Sequence, residues 1–138
     1  MSKIQLLSRT LDPMSLLADV MGSSPEHPLG TKDVREAIRA GNLWLLEHCH
    51  ATFKITSPMP VLLQLEHYNN FTITVNKAEH TAVVTGSFRA WYEYFSKNVG
   101  ARVHPESRQV TMEIQKRLAK SCPDIFDRDF VKAREGTE

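Results

Sequence analysis

Two stretches of strict alternation, with an aromatic stripe at helical spacing directly behind them, constrain this chain more than any other feature. Phe71-Thr72-Ile73-Thr74-Val75 and His80-Thr81-Ala82-Val83-Val84-Thr85 each send successive side chains to opposite faces. Asn76-Lys77-Ala78-Glu79 between them has the composition of a turn, so the segment predicts a β-hairpin. Phe88, Trp91, Tyr92, Phe95 and Val99 then recur at offsets 0, 3, 4, 7 and 11, a continuous stripe along a helix opened by Gly86-Ser87. A hairpin with one apolar face needs a cover, and a striped helix is one.

The remaining segments fit the same plan. Ile4-Gln5-Leu6-Leu7 has a strand's composition, and Asp12-Pro13 turns the chain into a short helix over Met14 to Met21. Residues 22–30 hold two glycines and two prolines and read as a mobile loop. Thr31 reads as a helix N-cap with Asp33 in the first turn. That helix runs to Ala40, buries Val34, Ala37 and Ile38, and stops at Gly41. From Glu47 to Ile55 the period is two: Cys49, Ala51, Phe53 and Ile55 face one way, and His48, His50, Thr52 and Lys54 the other. Ser57-Pro58 ends that strand, and Val61 to His67 is helical. A last long helix starts near Pro105, turns Val110, Ile114 and Leu118 inward, and ends before Pro123. Residues 131–138 form a charged tail expected to fray. The elements do not alternate as βαβ units, so the expected class is α+β, an antiparallel or mixed sheet covered by helices.

At 138 residues the chain suits one domain, 1–138. Its formal charge of +1 gives no electrostatic ground for nucleic-acid or membrane-surface partners. Two cysteines are too few for a disulfide framework, and Met1-Ser2-Lys3-Ile4 lacks a leader's apolar stretch. No apolar run approaches the ~20 residues of a membrane span. These features place the protein in the cytoplasm.

Three stretches together resemble the flavin-dependent thymidylate synthases. Leu46-Glu47-His48-Cys49-His50-Ala51-Thr52-Phe53-Lys54-Ile55 is similar to that family's FEHxxFTFxI strand. Pro58 to Gln64 is similar to the helix that follows it. The third stretch begins at Thr85-Gly86-Ser87-Phe88-Arg89-Ala90-Trp91. It continues through His104-Pro105-Glu106-Ser107-Arg108 to Cys122-Pro123-Asp124-Ile125-Phe126, and resembles the TGNLRAW…HPEIR…CPxxF block. Order and spacing agree over about two-thirds of the chain. The resemblance implies a homo-oligomer, a tetramer in the family, with FAD bound across subunits. The family reaction takes a hydride from a reduced nicotinamide and methylates dUMP with methylenetetrahydrofolate. By position, Glu47, Ser87 and Arg89 are implied flavin contacts, with Ser87 replacing the usual Asn. Gln64 and His104 are implied substrate contacts.

The departures bear on activity. The family's RHR triplet falls on His67-Tyr68-Asn69 here, and its following Ser–Arg pair falls within Phe71–Val75 or on Lys77 and Glu79. The Arg that closes the aromatic helix is replaced by Asn98. A phosphate dianion needs such cations, and each charge-assisted hydrogen bond lost forfeits ~1.5–3 kcal/mol. The hairpin also bridges an interval in which the family carries a long segment with two helices. No residue is assigned a catalytic role. Two readings stand: a divergent relative that binds FAD and a uridine nucleotide with the reaction weakened or lost, and a non-catalytic homo-oligomer that uses the scaffold to bind a ligand or a protein.

Individual residues carry bland readings as well. Arg89 holds a flavin pyrophosphate or is a solvated helix residue; Glu47 is a flavin contact or a rim charge. Gln64 reads a pyrimidine edge or bonds a neighbouring loop. His48 and His50, two apart on a strand, are a metal pair that His67 or His104 would have to complete, or a polar sheet face at a subunit contact. Cys49 and Cys122 have no adjacent base and read as core thiols. No dinucleotide, P-loop, nucleophile-elbow or H-E-x-x-H motif occurs.

Overall fold

Alternation and helical stripes become one sheet and its cover in the computed structural model, which describes residues 2–68, 70–97 and 105–127. The strands are β1 (Lys3–Arg9), β2 (His50–Thr56), β3 (Phe71–Asn76) and β4 (Thr81–Ser87). The helices are α1 (Pro13–Val20), α2 (Thr31–Arg39), α3 (Met59–Glu66), α4 (Phe88–Lys97), α5 (Pro105–Ser121) and α6 (Pro123–Phe126). The sheet runs β1-β2-β4-β3 with every neighbour antiparallel, which makes the class α+β.

Register separates the two faces. Phe53 lies opposite Val84 and Leu6, and Ile55 opposite Ala82 and Ile4, so these apolar residues share the face the helices cover. Phe71, opposite Gly86, extends that face onto β3. The other face carries Thr52, Lys54, Thr72, Thr74, Val83 and Thr85, and the Thr52 and Thr85 hydroxyls meet at 2.8 Å across strands. Over the apolar face lie Phe88, Trp91, Tyr92 and Phe95 of α4, Ile114 and Leu118 of α5, and Phe126 of α6, all at most 1% exposed. Trp91 stands edge-on to Phe53 at 5.2 Å and sends its indole N–H to the Ala51 carbonyl at 3.2 Å.

Several expected boundaries shift for identifiable reasons. Glu47 and His48 are not in the strand. They end a 3-10 turn, Leu43–His48, and β2 begins at His50. Leu45 and Leu46 are both buried, which adjacent strand residues on a one-sided sheet cannot achieve and a tight helical turn can. His48 and His50 therefore do not project as a strand pair. Gly30, not Thr31, is the cap of α2: its backbone N–H donates to the Asp33 carboxylate at 2.8 Å, and Thr31 is already helical. Gly86-Ser87 closes β4 and leads directly into α4. The hairpin turn falls one residue later than expected, on Lys77 to His80. The short helix α6 was not expected.

Gly41 ends α2 with φ of 101°, the left-handed position that favours glycine. In the loop after α1, the Ser23 hydroxyl accepts the Leu29 N–H at 2.9 Å. No helix of the described residues is long and apolar enough to cross a membrane. Asn98, Val99, His104 and the 131–138 tail lie outside the described residues.

Candidate functional site

The β4–α4 junction gathers the three residues implied as flavin contacts. Phe88 N–H donates to the Cys49 carbonyl at 2.7 Å, which ties the start of α4 to the end of the 3-10 turn. That bond brings together Glu47, two residues before Cys49, and Arg89, one residue after Phe88. Ser87 precedes the helix, and its hydroxyl accepts the Ala90 N–H at 3.1 Å, filling the N-cap role. Glu47, Ser87 and Arg89 line one concavity of about 270 Å³ with Asn70, Ala90 and Glu93.

Electrostatics in this concavity run through Arg89. Its Nε donates to Glu93 Oε1 at 3.0 Å, an i,i+4 pair on α4, and its Nη1 donates to Glu47 Oε2 at 3.3 Å. Arg89 is held above its ordinary pKa, chiefly by the Glu93 hydrogen bond, with the charges of Glu93 and Glu47 adding to it. The side chains of Arg89, Glu47 and Glu93 are 39%, 57% and 25% exposed, so each pair is worth only ~0–1 kcal/mol. A strong anion can displace such pairs, yet both carboxylates remain at the rim. Among the described residues, one guanidinium facing two carboxylates leaves the lining with one net negative charge. A flavin dinucleotide brings a diphosphate that needs cationic donors. With one cation against two carboxylates, the described lining does not fit such a diphosphate unaided.

Gln64 lies elsewhere. It sits on α3, and its side-chain oxygen accepts the Ser107 hydroxyl proton from α5. Val61, Leu65, Tyr68 and Tyr94 line the same spot, and Gln64 itself is half-buried. The amide is bonded to a helix, where the bland reading had a loop. Of the positions matching the family triplet, His67 is exposed after α3 and Tyr68 packs edge-on to Tyr94 at 5.0 Å. Asn69 and His104 lie outside the described residues. Lys77 and Glu79 are exposed in the hairpin turn. The structure thus unites Glu47, Ser87 and Arg89 and leaves Gln64 out of their concavity.

Two lining residues escaped the sequence reading. Glu93 stands four residues after Arg89, a spacing that marks a helical ion pair and could have been read. Asn70 reaches the concavity only because β3 folds back beside β4, and no local pattern signals that. Among the described residues, no three His, Cys, Asp or Glu side chains gather as a metal would require. Burial pushes the Cys49 thiol up to about 12, with Cys122 nearby adding to the rise, and pushes Cys122 up to about 11. Such thiols are poor nucleophiles.

No protein-family model matches the chain. It is 25% identical over 128 residues to a flavin-dependent thymidylate synthase of Mycobacteroides abscessus, a match covering 92% of this chain and 51% of that protein. A flavin-dependent thymidylate synthase of Mycobacterium avium is 33% identical over 64 residues, 46% of this chain and 26% of the relative. The chain therefore spans about half the length of the first of these relatives and matches a quarter of the second. These similarities support a relationship to the flavin-dependent thymidylate synthases.

Proposed function

We propose that this chain is a divergent thymidylate synthase-like protein. It retains the framework and a flavin-contact corner, Glu47–Ser87–Arg89, and has lost the reductive methylation of dUMP. The single observation that carries this reading is the charge inventory of the concavity among the described residues: Arg89, the cation there that could meet a diphosphate, faces two carboxylates, and no second cation of the described residues lines the site. The bond at Gln64 supports it, because the amide oxygen that could meet a pyrimidine edge already accepts the Ser107 hydroxyl proton. On this reading the protein acts as a ligand-binding homo-oligomer without turnover.

FAD in the relatives' reaction carries the hydride, and a protein's part is to bind and orient it. In this chain Arg89 would meet a phosphate of that group and Ser87 would offer its hydroxyl proton. The test has two arms. Purified protein incubated with FAD, dUMP, methylenetetrahydrofolate and a reduced nicotinamide is expected to show no dUMP-dependent nicotinamide oxidation; turnover by this polypeptide overturns the proposal. In a fluorescence titration, FAD is expected to bind weakly. Arg89→Ala should weaken that binding at least about 10-fold, the loss of one charge-assisted hydrogen bond. Binding that is tight, or indifferent to Arg89, removes the contact corner from the reading.

A further inference from the structure

The two edges of the sheet are built differently. On β1 the pairing breaks at Leu7, between Leu6 and Ser8, and charged Lys3 and Arg9 stand at its ends. A bulge and terminal charges are the usual means by which an edge strand avoids pairing with another chain. On β3 the residues are Phe71-Thr72-Ile73-Thr74-Val75-Asn76, with no charge, proline, glycine or bulge. Its pairing with β4 runs unbroken from Phe71 opposite Gly86 to Asn76 opposite Thr81. Among the described residues no strand lies on its other side. Ile73 and Val75 belong to the apolar face yet are only half-buried.

We propose that β3 is an interaction edge whose partner is β3 of a second copy of this chain, paired antiparallel about a two-fold axis through Ile73. The argument for a second copy is in the strand itself. Read backwards, Phe71-Thr72-Ile73-Thr74-Val75 repeats its own pattern: apolar, Thr, Ile, Thr, apolar. Directly opposed residues in an antiparallel pair share a face. The two-fold at Ile73 therefore sets Phe71 against Val75 of the second copy on the covered face, and Thr72 against its Thr74 on the open face. A shift of one residue would set apolar residues against threonines, and a shift of two would leave either Phe71 or Val75 without an apolar partner. The pairing completes the half-covered Ile73 and Val75 ladder and yields one continuous eight-stranded sheet, two copies of the four strands. A seam of this length is short beside a standard protein interface, so the dimer dissociates on dilution. The inference is independent of the flavin reading, since none of the strand's residues lines the Arg89 concavity.

Sedimentation of the full chain from about 10 to 500 µM, the range in which a small interface comes apart, is expected to show mass rising toward twice 15.7 kDa. The double variant Thr72→Lys/Thr74→Lys places like charges along the seam on the open face. It should remain monomeric while keeping the wild-type circular dichroism and melting curve. In a second variant, Ile73→Cys, oxidised glutathione should join two copies through one disulfide, because directly opposed Cα atoms lie within disulfide reach. Val83→Cys, on the open face of the inner strand β4, should stay uncrosslinked, and the native Cys49 and Cys122 are buried. Three results would overturn the proposal: a wild-type monomer throughout the range, open-ended assemblies larger than a dimer, or a dimer indifferent to the lysine pair. Crosslinking of Val83→Cys as readily as Ile73→Cys would do the same.

Discussion

At Gly86 a single methyl group decides whether the sheet can close against α4. A Cβ there would lie 2.5 Å from the Phe71 ring and 3.3 Å from the Trp91 indole nitrogen. The Phe71 and Trp91 rings are 4.3 Å apart at their centroids and Trp91 is fully buried, so admitting the methyl group requires the Phe71 ring to shift. Gly86→Ala is expected to destabilise the protein by about 1–3 kcal/mol, the usual range for overpacking a core, measured as a drop in the denaturation midpoint. A midpoint equal to wild type would mean the two rings move freely. Trp91→Phe is expected to cost about 1–3 kcal/mol at the same site, because it leaves the Ala51 carbonyl without the indole N–H that now reaches it at 3.2 Å. At Arg89, by contrast, Glu93→Gln should change stability by less than about 1 kcal/mol, since both members of that pair are solvent-accessible.

Between elements, the β4–α4 junction does the positioning. Ser87 ends the strand and caps the helix, so Ser87→Ala should lower stability by about 1 kcal/mol through the lost Ala90 hydrogen bond, read by thermal denaturation. Periodicity announced most elements here. The alternation in Phe53 and Ile55 and the stripe from Phe88 to Phe95 each depend only on residues close in sequence, and both faces came out as their spacing implied. Boundaries were less readable. The 3-10 turn at Leu43–His48 interrupts a segment whose alternation runs back to Glu47, and only the burial of Leu45 beside Leu46 shows that the strand has not begun. The Thr31 and Gly30 exchange has the same origin: both can precede a helix, and the Asp33 side chain's reach to the Gly30 N–H settles which does.

For the molecule as a whole, buried acids set the response to pH. Burial raises Cys49 from 9.0 to about 12, Cys122 from 9.0 to about 11, and Tyr94 from 10.0 to about 12, the last against the lowering effect of its Thr111 hydrogen bond. In the unfolded chain the thiols lose their protons above about pH 9, whereas the folded chain keeps them. The folded state then binds more protons, so stability is full below that pH and falls as pH rises toward 11 to 12. The slope is at most about 1.4 kcal/mol per pH unit for each group. Denaturant midpoints should be flat from neutral to about pH 9 and fall beyond it. Cys49→Ala should flatten that fall; an unchanged slope would show that this thiol is not the responsible group. Native Cys49 and Cys122 should also resist alkylation at neutral pH until the chain unfolds.

What the sequence determined by itself was local. Two alternating runs, a turn between them and an aromatic stripe dictated strands, a hairpin and a covering helix, because backbone geometry converts spacing into faces within a few residues. The tertiary structure alone decided that Glu47 meets Arg89 across 42 positions, that Gln64 is held by Ser107 of α5, and that β3 is an outer strand. Those outcomes follow from strand order and helix docking, which depend on how faces pack together, and periodicity along the chain does not encode which face meets which.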